Sequence, residues 1–255
     1  MLEKVDPKRL SYFLPNIFTA LNMACGFGSV LMAMRGKIQS AALLIILGSI
    51  FDSFDGRVAR LTGTQSEFGE QFDSLSDLVG FGFAPSILMY QCFLHNLGRI
   101  GMALSFLFLL CGALRLARFN VNVHRVDPNF FQGVPIPCGA VALVGLVLIT
   151  SAYPVILKTV PWLPPVYILI YSFLMVSTIP FASFKKSPWL KRHRKLVFLL
   201  IFVVLAIVFT YPEEMIFSVT TAYVLGCVAY DIYHWRQFRV LAEDDEEEDE
   251  DGAIS

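Results

Sequence analysis

Apolar residues run along this chain in long blocks, and polar positions gather between them rather than alternating with them. Eight blocks stand out, at 14–34, 39–61, 71–94, 100–120, 134–153, 163–183, 196–211 and 214–234. Several approach the ~20 residues a helix needs to cross the hydrocarbon of a bilayer. The seventh is short. No segment between them is long enough to form a second, soluble domain. The pattern predicts an all-α, polytopic membrane bundle of about eight transmembrane helices. The first block lacks a small-x-small cleavage site, and Asn22 stands where a lipoprotein signal before Cys25 would carry an aliphatic residue. It is therefore expected to stay as an uncleaved helix.

Composition agrees. Of 255 residues, 56% are hydrophobic and 16% charged, against about 25% charged in an ordinary soluble domain. The 23 Phe are too many for one soluble core of this size. A disordered chain, a disulfide scaffold and a nucleic-acid-binding module are excluded. The cysteines and histidines are scattered, with no zinc or disulfide spacing. The net charge of −1 conceals an asymmetry: nine carboxylates crowd into residues 243–251, and without them 20 basic residues face 12 acidic ones. The chain is expected to divide into a membrane domain, 1–240, and a solvated, disordered acidic tail, 241–255.

The basic residues set the orientation. With the N-terminus in the cytoplasm, 16 of the 20 Lys and Arg fall on the cytoplasmic side, and only Arg35, Lys37, Arg99 and Lys158 lie beyond the membrane. The reverse topology inverts that ratio, so both termini are expected to be cytoplasmic. A cell (inner) membrane location follows, with the polar ends of the second and third blocks facing the cytoplasm.

Those ends carry the chemistry. The second block closes with Asp52-Ser53-Phe54-Asp55-Gly56-Arg57-Val58-Ala59-Arg60, and the third opens with Asp73-Ser74-Leu75-Ser76-Asp77. A carboxylate deep in a bilayer costs about 2.5–3.5 kcal/mol on the lenient insertion scale. Asp52 and Asp55 are i, i+3, and Asp73 and Asp77 are i, i+4, so each pair shares a helix face. A turn around residues 62–69 makes an antiparallel hairpin in which all four converge. The helix macrodipole opposes Asp52 and Asp55 at the end of their span, so flanking charge does not explain them. Hard oxygen donors without His or Cys suit Mg²⁺ or Mn²⁺, and four carboxylates could hold two ions. Gly56 and Ala59 clear one face beside the acids for a flat group such as a base, and Arg60 could pair with a diphosphate.

Asp52-x2-Asp55-Gly56-x2-Ala59-Arg60-x8-Gly69-x3-Asp73-x3-Asp77 resembles, without a departure, the signature of the CDP-alcohol phosphatidyltransferases. The resemblance implies a metal-dependent membrane enzyme that cleaves the diphosphate of a CDP-linked lipid, passes the phosphatidyl group to an alcohol and releases CMP. It implies that Asp52, Asp55, Asp73 and Asp77 hold the metals and that Asp77 also serves as the base for the acceptor hydroxyl. It further implies that Gly56, Ala59 and Arg60 hold the CDP moiety and that the chain forms a homodimer.

Other segments resemble the phosphatidylserine synthase branch: Pro15-Asn16-x2-Thr19-x2-Asn22-x3-Gly26, the run from Gly112 to Asn120, and Phe131-Gln132-Gly133-Val134-Pro135-Ile136-Pro137. That branch implies L-serine as acceptor and CDP-diacylglycerol, or CDP-archaeol, as donor. Arg115 and Arg118, i, i+3 with Asn120 close by, could clamp a carboxylate or the lipid phosphate; as basic residues at a helix end they also suit topology alone. Glu67 could face the serine ammonium or simply lie in a solvated turn. Asn16, Thr19 and Asn22 could contact cytidine or phosphate, or serve as caps and interhelical hydrogen bonds. Two alternatives stay open: another acceptor, glycerol 3-phosphate or inositol phosphate, and a divalent-cation transporter, although a pore would spread its acids through the membrane depth.

Overall fold

The computed structural model describes residues 7–122, 130–182 and 210–230. Its longer helices are α1 (Pro7–Met34), α2 (Ile38–Thr62), α3 (Glu67–Leu97), α4 (Arg99–Asn122), α5 (Ile136–Ala152), α6 (Leu163–Val176) and α7 (212–230), with a single short turn of helix at Val155–Thr159 between α5 and α6. One small antiparallel ribbon joins β1 (Phe130–Gln132) to β2 (Pro180–Ala182), with Phe131 opposite Phe181. Among the described residues, four helical segments are long and apolar enough to cross a membrane: Pro15–Met34, Ile38–Thr62, Glu67–Leu97 and Arg99–Val121. The all-helical membrane class thus holds. Most of the seventh apolar block, the end of the eighth, and the acidic tail at 241–255 lie outside the described residues.

The hairpin between α2 and α3 is tighter than the sequence pattern suggests. Gly63 ends α2 in the left-handed region, φ 64°, and donates to the Ala59 carbonyl. Ser66 then caps α3, its hydroxyl accepting from the Gly69 N–H at 3.1 Å. Glu67 and Glu70 follow in the first turn, where the helix dipole favours acids. The turn is thus residues 63–66, and Asp73 sits in the second turn of α3 rather than at its start. A methyl at Gly69 would press on the capping hydroxyl, 3.2 Å away. α3 departs from α geometry immediately after Asp77: Leu78–Phe83 is a π-helix, and a second π-segment spans Tyr90–Leu94.

α5 is apolar on every side and buried on nearly every side, with Leu143, Val144, Leu146 and Val147 fully enclosed; a helix apolar all round belongs at the centre of a bundle. α1, α2 and α4 turn large apolar side chains outward, among them Phe27, Leu43, Ile50 and Phe106, as lipid-facing helices do. α1 and α3 approach closely enough that a methyl at Gly26 would lie 2.7 Å from the Gly80 Cα.

The sixth apolar block, expected to run to residue 183, stops being helical at Val176. Ser177 turns extended, ψ 158°, and Pro180 begins the ribbon strand three residues later. The exposed end carbonyls find other donors. Arg118 donates to Val176 O at 2.9 Å and Ser177 O at 3.1 Å. The Val134 N–H donates to Leu174 O at 3.1 Å, and the Gly133 N–H to Ile179 O at 2.9 Å. Arg118 therefore fastens α4 to the end of α6. Replacing it by Leu is expected to lower stability by about 1–3 kcal/mol, since a charged donor is lost from several carbonyls. Arg118→Lys should recover part of that, and thermal melting in detergent measures both.

Candidate active site

The site forms where three helices meet. α2 contributes Asp52 and Asp55, α3 contributes Asp73 and Asp77, and α1 lies across both. Carboxylate oxygens of Asp52, Asp55 and Asp73 come within 4.8 Å of one another. The four acids pair across the hairpin, Asp52 with Asp77 and Asp55 with Asp73. Asp77, one turn beyond Asp73, stands outside the group of three.

α1 supplies the hydrogen bonds. Thr19 Oγ1 donates to Asp55 Oδ2 at 3.0 Å, and Asn22 Nδ2 donates to Asp77 Oδ1 at 3.4 Å. The Gly56 N–H also donates to Asp55. In return, buried Ser76 of α3 donates to the Thr19 carbonyl at 2.8 Å, fixing α3 against α1. Asp73 Oδ1 is buried without a hydrogen-bond partner. Two unit charges 4 Å apart interact by about 4 kcal/mol at an effective dielectric of 20. Such a cluster, made of oxygen alone, fits hard divalent cations.

Beside the carboxylates opens a cavity of about 280 Å³. The residues expected to hold CDP all line it: Asn16, Thr19, Gly56, Ala59 and Arg60, with Asp55 and Asp73 on its wall. The Arg60 guanidinium folds back over Gly56, 3.6 Å from where a Cβ would stand. Polar lining residues that the sequence did not point to for this role include Thr64, Glu70 and Ser74. The i, i+3 and i, i+4 spacing of Glu70 and Ser74 from Asp73, Asp77 and one another is the signal that could have found them. Asn120 reaches this cavity too, donating from Nδ2 to Ser74 Oγ at 3.0 Å.

The other candidates separate. Arg115 is buried, 8% exposed, with its guanidinium 5.9 Å above the Phe119 ring and its Nε unpartnered. It lies near enough to Asp77 for their charges to interact. Arg118, one turn on, donates to the α6 carbonyls described above. Glu67 is exposed and does not line the cavity.

The chain belongs to the CDP-alcohol phosphatidyltransferase family, whose model matches residues 12–167. A CDP-diacylglycerol–serine O-phosphatidyltransferase of Helicobacter pylori is 41% identical over 224 residues, covering 88% of this chain and 91% of that protein. The Bacillus subtilis protein of the same name is 36% identical over 174 residues, covering 68% and 92%. An archaetidylserine synthase of Methanothermobacter thermautotrophicus is 39% identical over 143 residues, covering 54% and 60%.

The crowding of carboxylates has a measurable consequence. In EDTA, Asp73→Asn should melt several degrees above the unsubstituted protein, because an amide relieves repulsion and donates to Asp55. Added Mn²⁺ should reverse the order, stabilising the unsubstituted protein far more than the variant. Melting curves with and without the ion check both.

Proposed function

We propose that this chain transfers the phosphatidyl group of CDP-diacylglycerol to the hydroxyl of L-serine, giving phosphatidylserine and CMP, at the cytoplasmic face of the cell membrane. The observation that carries the reading is the carboxylate cluster on the wall of a cavity lined by Gly56, Ala59 and Arg60. Names of similar proteins support serine as acceptor, and the archaetidylserine synthase makes CDP-archaeol the corresponding donor in an ether-lipid membrane. The excess of Lys and Arg on one side supports the cytoplasmic face.

The residues divide the work. Gly56 and Ala59 leave room for the cytidine diphosphate to lie against α2, while Arg60 donates to its phosphates. Asn16 and Thr19 line the same cavity from α1. Asp52, Asp55 and Asp73 would hold two Mg²⁺ or Mn²⁺ ions, with Asp77 able to contribute an oxygen. Bound there, such ions supply charge neutralisation for the diphosphate and the departing CMP. Asp77 accepts the proton of the serine hydroxyl as its oxygen attacks the phosphorus bearing the diacylglycerol; the bond from that phosphorus to the CMP oxygen breaks. Arg115, buried near Asp77 with a free Nε, offers donors to the serine carboxylate.

Purified protein with CDP-diacylglycerol and Mn²⁺ should release CMP when L-serine is added, and not with glycerol 3-phosphate or inositol 1-phosphate. Asp77→Asn and excess EDTA should each abolish release. Release driven by a phosphorylated acceptor instead would keep the site and reject serine. Absence of release with every acceptor, in folded protein that binds Mn²⁺, would favour ion transport. Arg115→Gln is expected to raise the KM for serine about 10- to 100-fold, the worth of a charged hydrogen bond. The KM for CDP-diacylglycerol should stay within about twofold.

A further inference from the structure

Asn22 is the most completely enclosed polar residue beside the site. Its side chain is fully buried, at the crossing of α1, α2 and α3. Nδ2 donates to Asp77, while Oδ1 has no hydrogen-bond partner. Instead Oδ1 is wedged between two glycines: a methyl at Gly48 would lie 2.9 Å from it, and a methyl at Gly80 2.7 Å. An ionised carboxylate only accepts hydrogen bonds, so the amide must turn its nitrogen toward Asp77 and its oxygen toward the glycines. The absence of a side chain at Gly48 and at Gly80 makes room for the amide oxygen there.

This arrangement is costly for a purely structural contact. A buried carbonyl oxygen without a donor forfeits about 1–3 kcal/mol of hydration, and a leucine would fill the space without that loss. Thr19, one turn earlier, differs: its one hydroxyl proton has two acceptors within reach, Asp55 Oδ2 at 3.0 Å and the Pro15 carbonyl at 3.2 Å. Asn22 has no second partner, and its donor goes to Asp77 alone. Asp77 lies at the junction with the π-segment that starts at Leu78, and Gly80 belongs to that segment. One piece of backbone thus carries both the carboxylate and a glycine that makes room for the amide.

We propose that Asn22 is a positioning residue for the transfer step, holding the Asp77 carboxylate turned so that its other oxygen meets the acceptor hydroxyl. This rests on the reading of Asp77 as base. Asn22 does not line the cavity; its effect passes through Asp77 and therefore falls on kcat.

The test separates positioning from packing. Asn22→Leu keeps the bulk and removes the amide. In a second variant, Asn22→Ala with Gly80→Ala, the new methyl at 80 occupies the space vacated, since the nearest atoms it would meet are those of Asn22 itself. Both are assayed in full-length protein for melting temperature and for kcat and KM with CDP-diacylglycerol, L-serine and Mn²⁺. The expected result is a kcat about 10- to 100-fold down, the usual loss when a supporting hydrogen bond to an active-site group goes. Both KM values should stay within about twofold. The melting temperature should match the unsubstituted protein in at least one variant. A kcat that returns whenever melting temperature returns would overturn the inference and leave Asn22 as packing. Asp77→Asn runs alongside: if it keeps turnover, the base reading falls and the inference with it; if it is dead while Asn22→Leu is fully active, only the inference falls.

Discussion

Four carboxylates must be held together at the ends of two apolar helices, and most of the polar architecture answers that demand. None of them sits in a terminal turn: Asp73 is in the second turn of α3, and Asp52 and Asp55 lie ten and seven residues before the end of α2 at Thr62, beyond the reach of the helix dipoles. The help is local, and within α2 it goes to Asp55, which accepts from the Thr19 hydroxyl and the Gly56 N–H. What remains unanswered is charge itself, since hydrogen bonds orient carboxylates without neutralising them.

α1 is what turns the hairpin into a site. Its outer face is greasy, yet its inner face presents Asn16, Thr19 and Asn22 at three-residue intervals to the cavity, to Asp55 and to Asp77 in turn. The reverse bond, Ser76 to the Thr19 carbonyl, makes the α1–α3 contact mutual. Away from the acids the bundle relies on apolar packing around α5, with polar fastenings at the α6 end, between Ser29 and the Ala41 carbonyl, and between Tyr167 and Thr221. The two arginines of α4 illustrate the division. Arg115 and Arg118 are one turn apart on one helix, but the first sits buried toward Asp77 and the second secures three carbonyls at the end of α6.

Much of this was legible before any coordinates. Aspartates spaced three and four apart, on two apolar runs joined by a short turn, can meet only in a hairpin, and they do. Gly56, Ala59 and Arg60 lie on the cavity because helical periodicity puts them on the face of Asp52 and Asp55. Other features have no local signal. Arg118 reads equally well as an anion clamp, because its carbonyl partners come 57 to 59 residues later. The early end of α6 at Val176 falls inside an apolar run, where a hydropathy window sees no break. The group of three oxygens that leaves Asp77 aside depends on how α3 is rotated against α2, which spacing alone leaves free.

The π-segment after Asp77 has a consequence for how the molecule tolerates change. A π-turn is an α-helix carrying one surplus residue. α3 therefore runs in two registers, one that serves the aspartates and one that serves the contacts of Gly82 and Leu88 with the rest of the bundle. Deleting a single residue between 78 and 83 would remove the surplus and restore a plain α-helix with the two halves of α3 left in nearly their present orientation. The same deletion in an α-helical stretch of α3 would turn the halves about 100° against each other and uncouple the acids from the bundle that supports them.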